Sequence, residues 1–326
     1  MSLAVSNDPF PDHNALQYYS LKCLEPPDIF RAACVCKRWN QLFSDQNLWK
    51  ALFEKKGIPL VISTNGTERN YKEDFKTLYP ITISGNTISQ YLGKVGEKIP
   101  SISEKQFNEL NEPDPFEEGK LKRETFVFIV DPAFVMRTID PETPLALDDL
   151  GNLVKTNTTE KSELKIPLSL KNIKVLSSYP LKGKENMPVF SRYFNEEIFR
   201  QCNTCPDKIS VYFMRRDVVN QSRGKPYAVQ EKFVKDKGYK VTPLRIRVLF
   251  DSVVILKDGT CPDACKPRWN YSYHPETFRY DNDVNHPVVG GFVPHTGVDV
   301  TRYNFDGDDS VGVVPGNPAE VPAIGT

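Results

Sequence analysis

The sequence predicts an α+β protein in which an N-terminal all-helical module precedes a mixed α+β domain. Apolar residues recur at helical spacing up to residue 56, whereas β-branched and aromatic runs alternate with helical stripes after residue 81. A chain of 326 residues is long enough for two such parts. Along the chain we predict a flexible lead-in (1–13), the helical module (14–56), a linker with one helix (57–80), the α+β domain (81–305) and a frayed tail (306–326).

Composition argues against several classes of partner and compartment. The 42 basic residues balance the 42 acidic ones, so no nucleic-acid or membrane surface is expected. No apolar run approaches the roughly 18–20 residues of a membrane span, and the first residues do not read as a secretory signal. Seven cysteines, an odd number in a long chain, fit a reducing compartment better than a disulfide framework. We therefore expect a cytoplasmic protein.

The N-terminal module is expected to contain short helices packed around two tryptophans, Trp39 and Trp49. Pro26 and Pro27 hold the chain extended before one of these helices. Asp28 can accept hydrogen bonds from the free backbone N–H groups at the start of that helix. A later helix is capped by Ser44 or Asp45 and ends at a glycine. The apolar stripe of that later helix consists of Leu48, Trp49, Leu52 and Phe53.

At these residues the chain resembles an F-box. The family pattern runs from a leucine through a proline and an acidic residue to a CKRW segment, and closes with an aspartate before LW. The matching positions are Leu24, Pro26, Asp28, Ala33, Val35, Cys36, Lys37, Arg38, Trp39, Leu42, Asp45, Leu48 and Trp49. The front departs from the pattern, because members open with Leu-Pro-x-Glu where this chain has Phe10-Pro11-Asp12. The spacing from Phe10-Pro11 to the rest of the pattern is about two residues longer than in the family.

The resemblance implies that the module docks on the Skp-type adaptor of a cullin-RING ubiquitin ligase of the SCF type. A helical segment this small cannot bury a full core alone, so an apolar side is left for a partner. The residues expected to contact the adaptor are Leu21, Leu24, Pro26, Pro27, Ile29, Phe30, Val35, Leu42 and Trp49. Trp39 is expected to be the central core residue of the module.

The rest of the chain would then act as a substrate receptor that holds a protein target for ubiquitination. On this hypothesis the chain has no catalytic residues and no cofactor of its own, and its partners are the adaptor, a cullin bound through it, and the target. The alternative is a helical cap on the chain's own second domain, in which both tryptophans are merely internal.

In the linker and the α+β domain, periodicity distinguishes helices, strands and loops. Helices are expected at 70–79, 88–95, 191–199 and 227–237, and strands at 125–130, 173–179 and 209–214. The second of these helices should carry Val95 on its apolar face, and Ser191 should cap the third. An exposed loop is expected at 112–122, a further loop at 140–165, and a meander at 288–292 and 298–300. The segment 242–258 fits both a strand and a helix. We favour a helix, because a proline enters the segment and a glycine follows it.

A second resemblance involves the segments 214–219, 222–225 and 238–239. Their sequences, MRRDVV, SRGK and GY, are similar to a domain found behind F-box-like segments in intracellular bacteria that live in amoebae. This resemblance implies an effector that is delivered into the host cytosol and acts on the ubiquitin machinery of the host.

The alternative function is a host-protein-modifying enzyme, dependent on zinc or on a cysteine, that the F-box only localises. Two cysteine pairs could complete a tetrahedral zinc site: Cys202, Cys205, Cys261 and Cys265. The gap between the pairs far exceeds the usual roughly 15–20 residues, so four reduced cysteines are the simpler interpretation. The candidates for a nucleophile and its base are Cys261 or Cys265 with His274 or His286, and they match no protease signature.

Overall fold

The computed structural model describes most of the chain. It covers residues 24–35, 37–63, 68–139, 145–156, 161–182, 189–190, 195–259, 271–280, 283–293, 297–302 and 311–319. None of the helices in these ranges combines the length and the apolar character that crossing a membrane requires.

Three helices open the described chain: α1 (Pro26–Ala32), α2 (Lys37–Leu42) and α3 (Gln46–Lys56). Proline begins α1, a position at which the backbone N–H would have no partner within the helix, so its absence costs nothing. Asp28 therefore lies inside the first turn of α1, where its side chain pairs with Arg31, and does not precede the helix as predicted. Asp45 caps α3 by accepting the Asn47 N–H at 2.8 Å. The end of α3 at a left-handed glycine agrees with the prediction.

The linker contains the predicted helix, α4 (Tyr71–Leu78), followed by a 3₁₀ turn (Tyr79–Ile81). The side chain of Asn70 caps α4. Phe75 and Leu78 lie on one face of α4 and are completely buried. This face packs against the N-terminal helices, so the linker helix contributes to their core.

The remaining elements alternate between helix and strand. The helices are α5 (Gly85–Tyr91), α6 (Glu104–Glu109), α7 (Lys122–Thr125), α8 (Leu170–Ser178), α9 (Glu196–Gln201), α10 (Tyr227–Lys235) and α11 (Leu244–Asp258). The strands are β1 (Val61–Ile62), β2 (Thr82–Ile83), β3 (Lys94–Val95), β4 (Ile102–Ser103), β5 (Phe126–Asp131), β6 (Phe134–Ile139), β7 (Leu145–Leu147), β8 (Leu153–Lys155), β9 (Ser162–Pro167), β10 (Ser210–Arg215), β11 (Lys240–Val241), β12 (Tyr271–Tyr273), β13 (Phe278–Tyr280), β14 (Asp283–Asn285), β15 (Pro287–Val293), β16 (Gly297–Arg302), β17 (Val311–Val313) and β18 (Pro315–Pro318).

The largest sheet in the described chain has the strand order β11-β18-β10-β5-β2. In it β10 pairs antiparallel with β5 and β18, and β2 joins β5 in parallel. A four-stranded sheet has the order β16-β15-β12-β17, and a three-stranded one the order β3-β6-β9. The predicted strands at 125–130 and 209–214 correspond to β5 and β10, and the predicted meander to the antiparallel pair β15-β16.

Helix α11 runs through the core and is buried along most of its length. This confirms the helix that we favoured over a strand for this segment. A helix that is apolar nearly all round is typical of a protein interior. The buried charges on α11 are paired, Arg245 with Asp131 and Arg247 with Asp251. Because unpaired charges are costly in a core, these pairs allow two arginines to lie there.

The predicted strand at 173–179 is wrong, because this segment belongs to helix α8. Ser169 caps α8 by accepting the Asn172 N–H, and the helix buries Leu170, Ile173 and Leu176 at helical spacing. The Asn172 side chain donates to the Gly151 and Pro167 carbonyls at 2.8 and 2.9 Å. The apolar run of this segment fits both a strand and a helix, and contacts with residues distant in the sequence favour the helix.

Three predicted irregular segments are also wrong in part. The loop expected at 140–165 contains β7, β8 and the start of β9. The loop expected at 112–122 buries Asp114 and Phe116. The tail expected from 306 contains β17 and β18. Glycine is needed at two positions in these strands, since a Cβ on Gly312 would lie 2.4 Å from Val218 and one on Gly316 2.7 Å from Tyr212.

Helix α9 starts later than predicted. Its cap is Asn195, whose side chain accepts the Glu197 N–H at 2.9 Å. The predicted cap, Ser191, lies outside the described residues. Helix α5 ends at Tyr91, so Val95, predicted on its apolar face, belongs to β3.

Candidate partner-docking site

Trp49 is the central core residue of the N-terminal helices. Its side chain is completely buried, stacks on Phe30 with ring centroids 5.1 Å apart, and packs against Phe75 of α4 at 5.6 Å. Its indole N–H donates to the Phe43 carbonyl at 2.9 Å. Trp39 is only partly buried and packs against Phe43 at 5.6 Å. The prediction that Trp39 forms the centre is therefore wrong, since Trp49 holds that position.

Four of the nine predicted contact residues point into the chain's own core. They are Pro26, Ile29, Leu42 and Trp49. Their burial has a physical cause: α4 supplies the apolar cover that the short helices lack, so this face needs no foreign subunit. In the free chain these four residues support the fold and offer almost no surface to a partner, and their contact with an adaptor stays a prediction.

The other described candidates form the outer surface of the helices. Val35, in the turn after α1, is 75% exposed, and Pro27 is also exposed. Leu24 and Phe30 are partly buried. Leu21, the remaining candidate, lies outside the described residues. An apolar surface is thus present on the side away from the chain's own core, and its contact with a partner stays a prediction.

An open groove of about 660 Å³ lies on the same helices. It is lined by Phe30, Ala33, Cys34, Lys37, Asn40, Lys72 and Lys76. Among the described residues, three lysines and no carboxylate line this groove. The Lys76 ammonium lies 5.4 Å from the Phe30 ring centre and pairs with Glu73, outside the lining, at 2.7 Å. A partner segment with acidic and apolar side chains would complement this lining. The lysines were missed in the sequence because α1, α2 and α4 each contribute to the groove.

The helices are joined to the α+β part by contacts on both sides of the linker. The Gly85 N–H, at the start of α5, donates to the Gly57 carbonyl at 2.8 Å. Strand β1 pairs in parallel with β4. The Arg69 guanidinium binds both Asp74 and Glu104, at 2.6 and 2.5 Å. A partner bound to the helices would therefore have a defined orientation relative to the sheets.

The cysteines of the zinc hypothesis are only half described. Burial raises the pKa of Cys202 to about 11, and burial also raises the pKa of Cys205. The Cys205 thiol donates to the Ala133 carbonyl at 3.3 Å. Cys261 and Cys265 lie outside the described residues, and the part of the chain that is described contains no cluster of three or more metal-binding side chains. Without a bound metal, both described thiols thus favour the protonated form, which is not the nucleophilic one.

The histidines of the nucleophile hypothesis are engaged in the fold. His274 is completely buried; its Nδ1 lies 2.8 Å from the Thr242 carbonyl and its Nε2 lies 3.0 Å from the Ser272 hydroxyl. His286 stacks on Tyr227 with ring centroids 3.7 Å apart. Because both ring nitrogens of His274 have partners, this residue is not arranged to accept a proton from a thiol.

The buried His274 leads to a prediction about acid stability. Burial lowers the pKa of His274 to about 3, and the positive charge of Arg247 adds to this effect against the hydrogen bond to Thr242. Between about pH 6.5 and pH 3, the unfolded chain binds a proton that the folded chain does not, so stability falls as the pH falls, by up to about 1.4 kcal/mol per pH unit. His274→Asn should reduce this slope in urea unfolding measured from about pH 7 to pH 5. Ser272→Ala, which retains the imidazole, should keep the slope; an unchanged slope in His274→Asn would contradict the assignment.

Comparison with known protein families decides the identity of the N-terminal helices. Residues 21–55 match the F-box-like family. The predicted resemblance is thereby confirmed for the segment that includes α1, α2 and nearly all of α3, which we now call the F-box-like module. No curated protein matches the chain. No solved structure matches it either. The family match leaves the α+β part without an assigned family, and the resemblance to bacterial effectors stays a prediction.

Proposed function

We propose that this protein is an F-box-type adaptor that binds a Skp-type subunit and thereby recruits a protein target to a cullin-RING ubiquitin ligase. The observation that carries the proposal is the F-box-like match at 21–55 together with the exposed Val35 on the outer side of the matched helices. The lysine-lined groove beside Phe30 adds a surface for acidic side chains of the same partner.

Docking would cover the apolar surface that the fold leaves outside. A standard interface buries roughly 1,200–2,000 Å² in total, of which Val35, Pro27 and Phe30 would form the apolar centre. Full burial of a valine side chain contributes about 1.5–3 kcal/mol, before the cost of association is counted. The inward-facing residues, above all Trp49, would contribute by holding this surface in shape.

The chain would accelerate ubiquitin transfer by proximity and without a catalytic group of its own. The RING partner and its conjugating enzyme would perform the chemistry, while the α+β part holds the target. Tethering raises the effective concentration of the target near the ligase, and it does so best when the geometry is fixed. The contacts of Gly57 with Gly85 and of Arg69 with Glu104 supply such a fixed connection.

The proposal places the protein in the cytosol of a eukaryotic cell, where cullin ligases operate. If the resemblance of segments 214–219, 222–225 and 238–239 reflects descent, the protein would reach this cytosol as a secreted bacterial effector. Target recruitment by the α+β part and secretion are separate proposals, and adaptor binding depends on neither of them.

Affinity purification from a eukaryotic lysate tests the proposed function. The full chain, carrying a C-terminal tag, should recover the Skp-type adaptor and a cullin, quantified by mass spectrometry against Val35→Asp as the binding-deficient control. We expect both subunits to be enriched about tenfold or more over the control. Equal recovery with both chains, or recovery of neither subunit, would argue against an adaptor role.

A further inference from the structure

A cleft of about 480 Å³ lies between the F-box-like module and the α+β part. Its apolar floor is formed by Ile83, Val127, Phe250 and Val254, and its polar side by Arg216 and Lys257. The volume lies in the range of small-molecule sites, which combine an apolar lining with a few polar groups that fix orientation. Both the size and the lining are therefore those of a ligand site.

Two adjacent arginines at the end of β10, Arg215 and Arg216, differ in their hydrogen-bond partners. Arg215 is buried and engages Asp114 at 3.2 Å, Glu117, and the Val218 carbonyl at 3.3 Å. Arg216 lines the cleft, and its Nε–H is buried without a hydrogen-bond partner among the described residues. The MRRDVV segment thus contains one structural arginine and one whose Nε–H has no acceptor in the described part of the chain.

The backbone of Arg216 is fixed on both sides. Its N–H donates to the Thr125 carbonyl at 2.9 Å, and its carbonyl accepts from the Arg247 guanidinium at 2.8 Å. Burial lowers the pKa of Arg216, and the neighbouring Asp217 opposes this effect. A desolvated guanidinium with an unsatisfied donor is unfavourable unless an acceptor completes it. A bound oxyanion would supply this acceptor and could accept two parallel hydrogen bonds.

The other charged groups around the cleft leave it with a positive balance. Lys56 and Glu25 at its edge pair with one another at 2.5 Å. Of the remaining lining residues, Arg216 and Lys257 are basic and Asp258 is acidic. Apart from the Lys56–Glu25 pair, the described lining of the cleft therefore carries more positive than negative charge, which favours an anion.

We propose that this cleft binds a small organic anion, with its phosphate or carboxylate group on Arg216 and its apolar body on the floor formed by Phe250 and Val254. This site is distinct from the docking surface around Val35, and its occupancy does not depend on adaptor binding. Because the cleft lies where the module meets the α+β part, its ligand would contact both.

Calorimetric titration of the full chain tests the site with three probes: phenyl phosphate, phenylacetate and inorganic phosphate. Phenyl phosphate and phenylacetate represent the two head groups on an apolar body, and inorganic phosphate lacks that body. We expect at least one aromatic probe to bind with a dissociation constant of about 1 mM or tighter. If phosphate is the preferred head group, inorganic phosphate should bind about tenfold more weakly than phenyl phosphate, because it lacks the apolar body.

Matched variants separate a site at Arg216 from non-specific anion binding. Arg216→Gln should weaken the bound probe by about tenfold or more, Arg216→Lys by less, and Lys257→Gln by about two- to threefold. Arg123→Gln, an exposed arginine outside the cleft, should leave affinity unchanged. Thermal unfolding checks that each variant is folded and should show stabilisation of the wild type by the probe. No binding by the wild type up to about 10 mM, or equal binding by Arg216→Gln and Arg123→Gln, would overturn the proposal.

Discussion

Replacing Val35 with aspartate is expected to weaken binding of a Skp-type adaptor by about 100-fold or more, with no change in the melting temperature. Val35 is 75% exposed in the free chain, so the carboxylate stays hydrated and the fold loses nothing. In the complex the same carboxylate would be buried without a partner, and a loss of about 2.7 kcal/mol corresponds to 100-fold in affinity. Surface-immobilised adaptor titrated with each chain measures the ratio of dissociation constants.

The control for Val35→Asp is Val229→Asp. Val229 lies on α10, outside the F-box-like module, and is 50% exposed, so the same chemical change is made on another surface. Its affinity for the adaptor should equal that of the wild type. An equal loss in both variants would show a general charge effect, and no loss in Val35→Asp would exclude this surface from the interface.

Trp49→Ala is expected to lower the free energy of unfolding by about 3–5 kcal/mol, the largest effect on stability among these changes. The substitution removes a completely buried indole that contacts Phe30 and Phe75, and it leaves the Phe43 carbonyl without its donor. Such a loss is a large part of the stability of most proteins, so adaptor binding should fail together with folding. Denaturant unfolding followed by circular dichroism gives the difference.

Trp39→Ala is the matched comparison for Trp49→Ala. Trp39 is partly exposed and packs against Phe43, so its truncation opens a smaller cavity and should cost clearly less. The order of the two losses is the test. If Trp39→Ala were the more destabilising change, Trp39 and not Trp49 would be the centre of the module.

The elements with local signals could be predicted from the sequence, whereas the residue at the centre of their shared core could not. The cap at Asp45, the glycine after α3 and the apolar stripe on α3 depend on residues within a few positions of one another. Which tryptophan is central depends on Phe75, which comes from the linker and covers Trp49. The sequence pattern around the two tryptophans contains no information on that contact.

Segments whose structure depends on distant contacts were predicted wrongly or missed. The run at 173–179 resembles a strand, and the hydrogen bonds of Asn172 to residues 151 and 167 favour the helix. Gly312 and Gly316 are typical of loops, yet they lie in strands that pair with β12 and β10. Neighbouring side chains leave no space for a Cβ at either position. The groove lysines and the Arg216 cleft likewise join elements that are far apart in sequence.

Isothermal titration of the purified full chain with a purified Skp-type adaptor tests the central claim most directly. We predict a one-to-one complex with a dissociation constant of about 1 µM or tighter, lost in Val35→Asp and retained in Val229→Asp. If the two folded proteins form no complex at about 100 µM, the F-box-like module does not serve as an adaptor-docking surface.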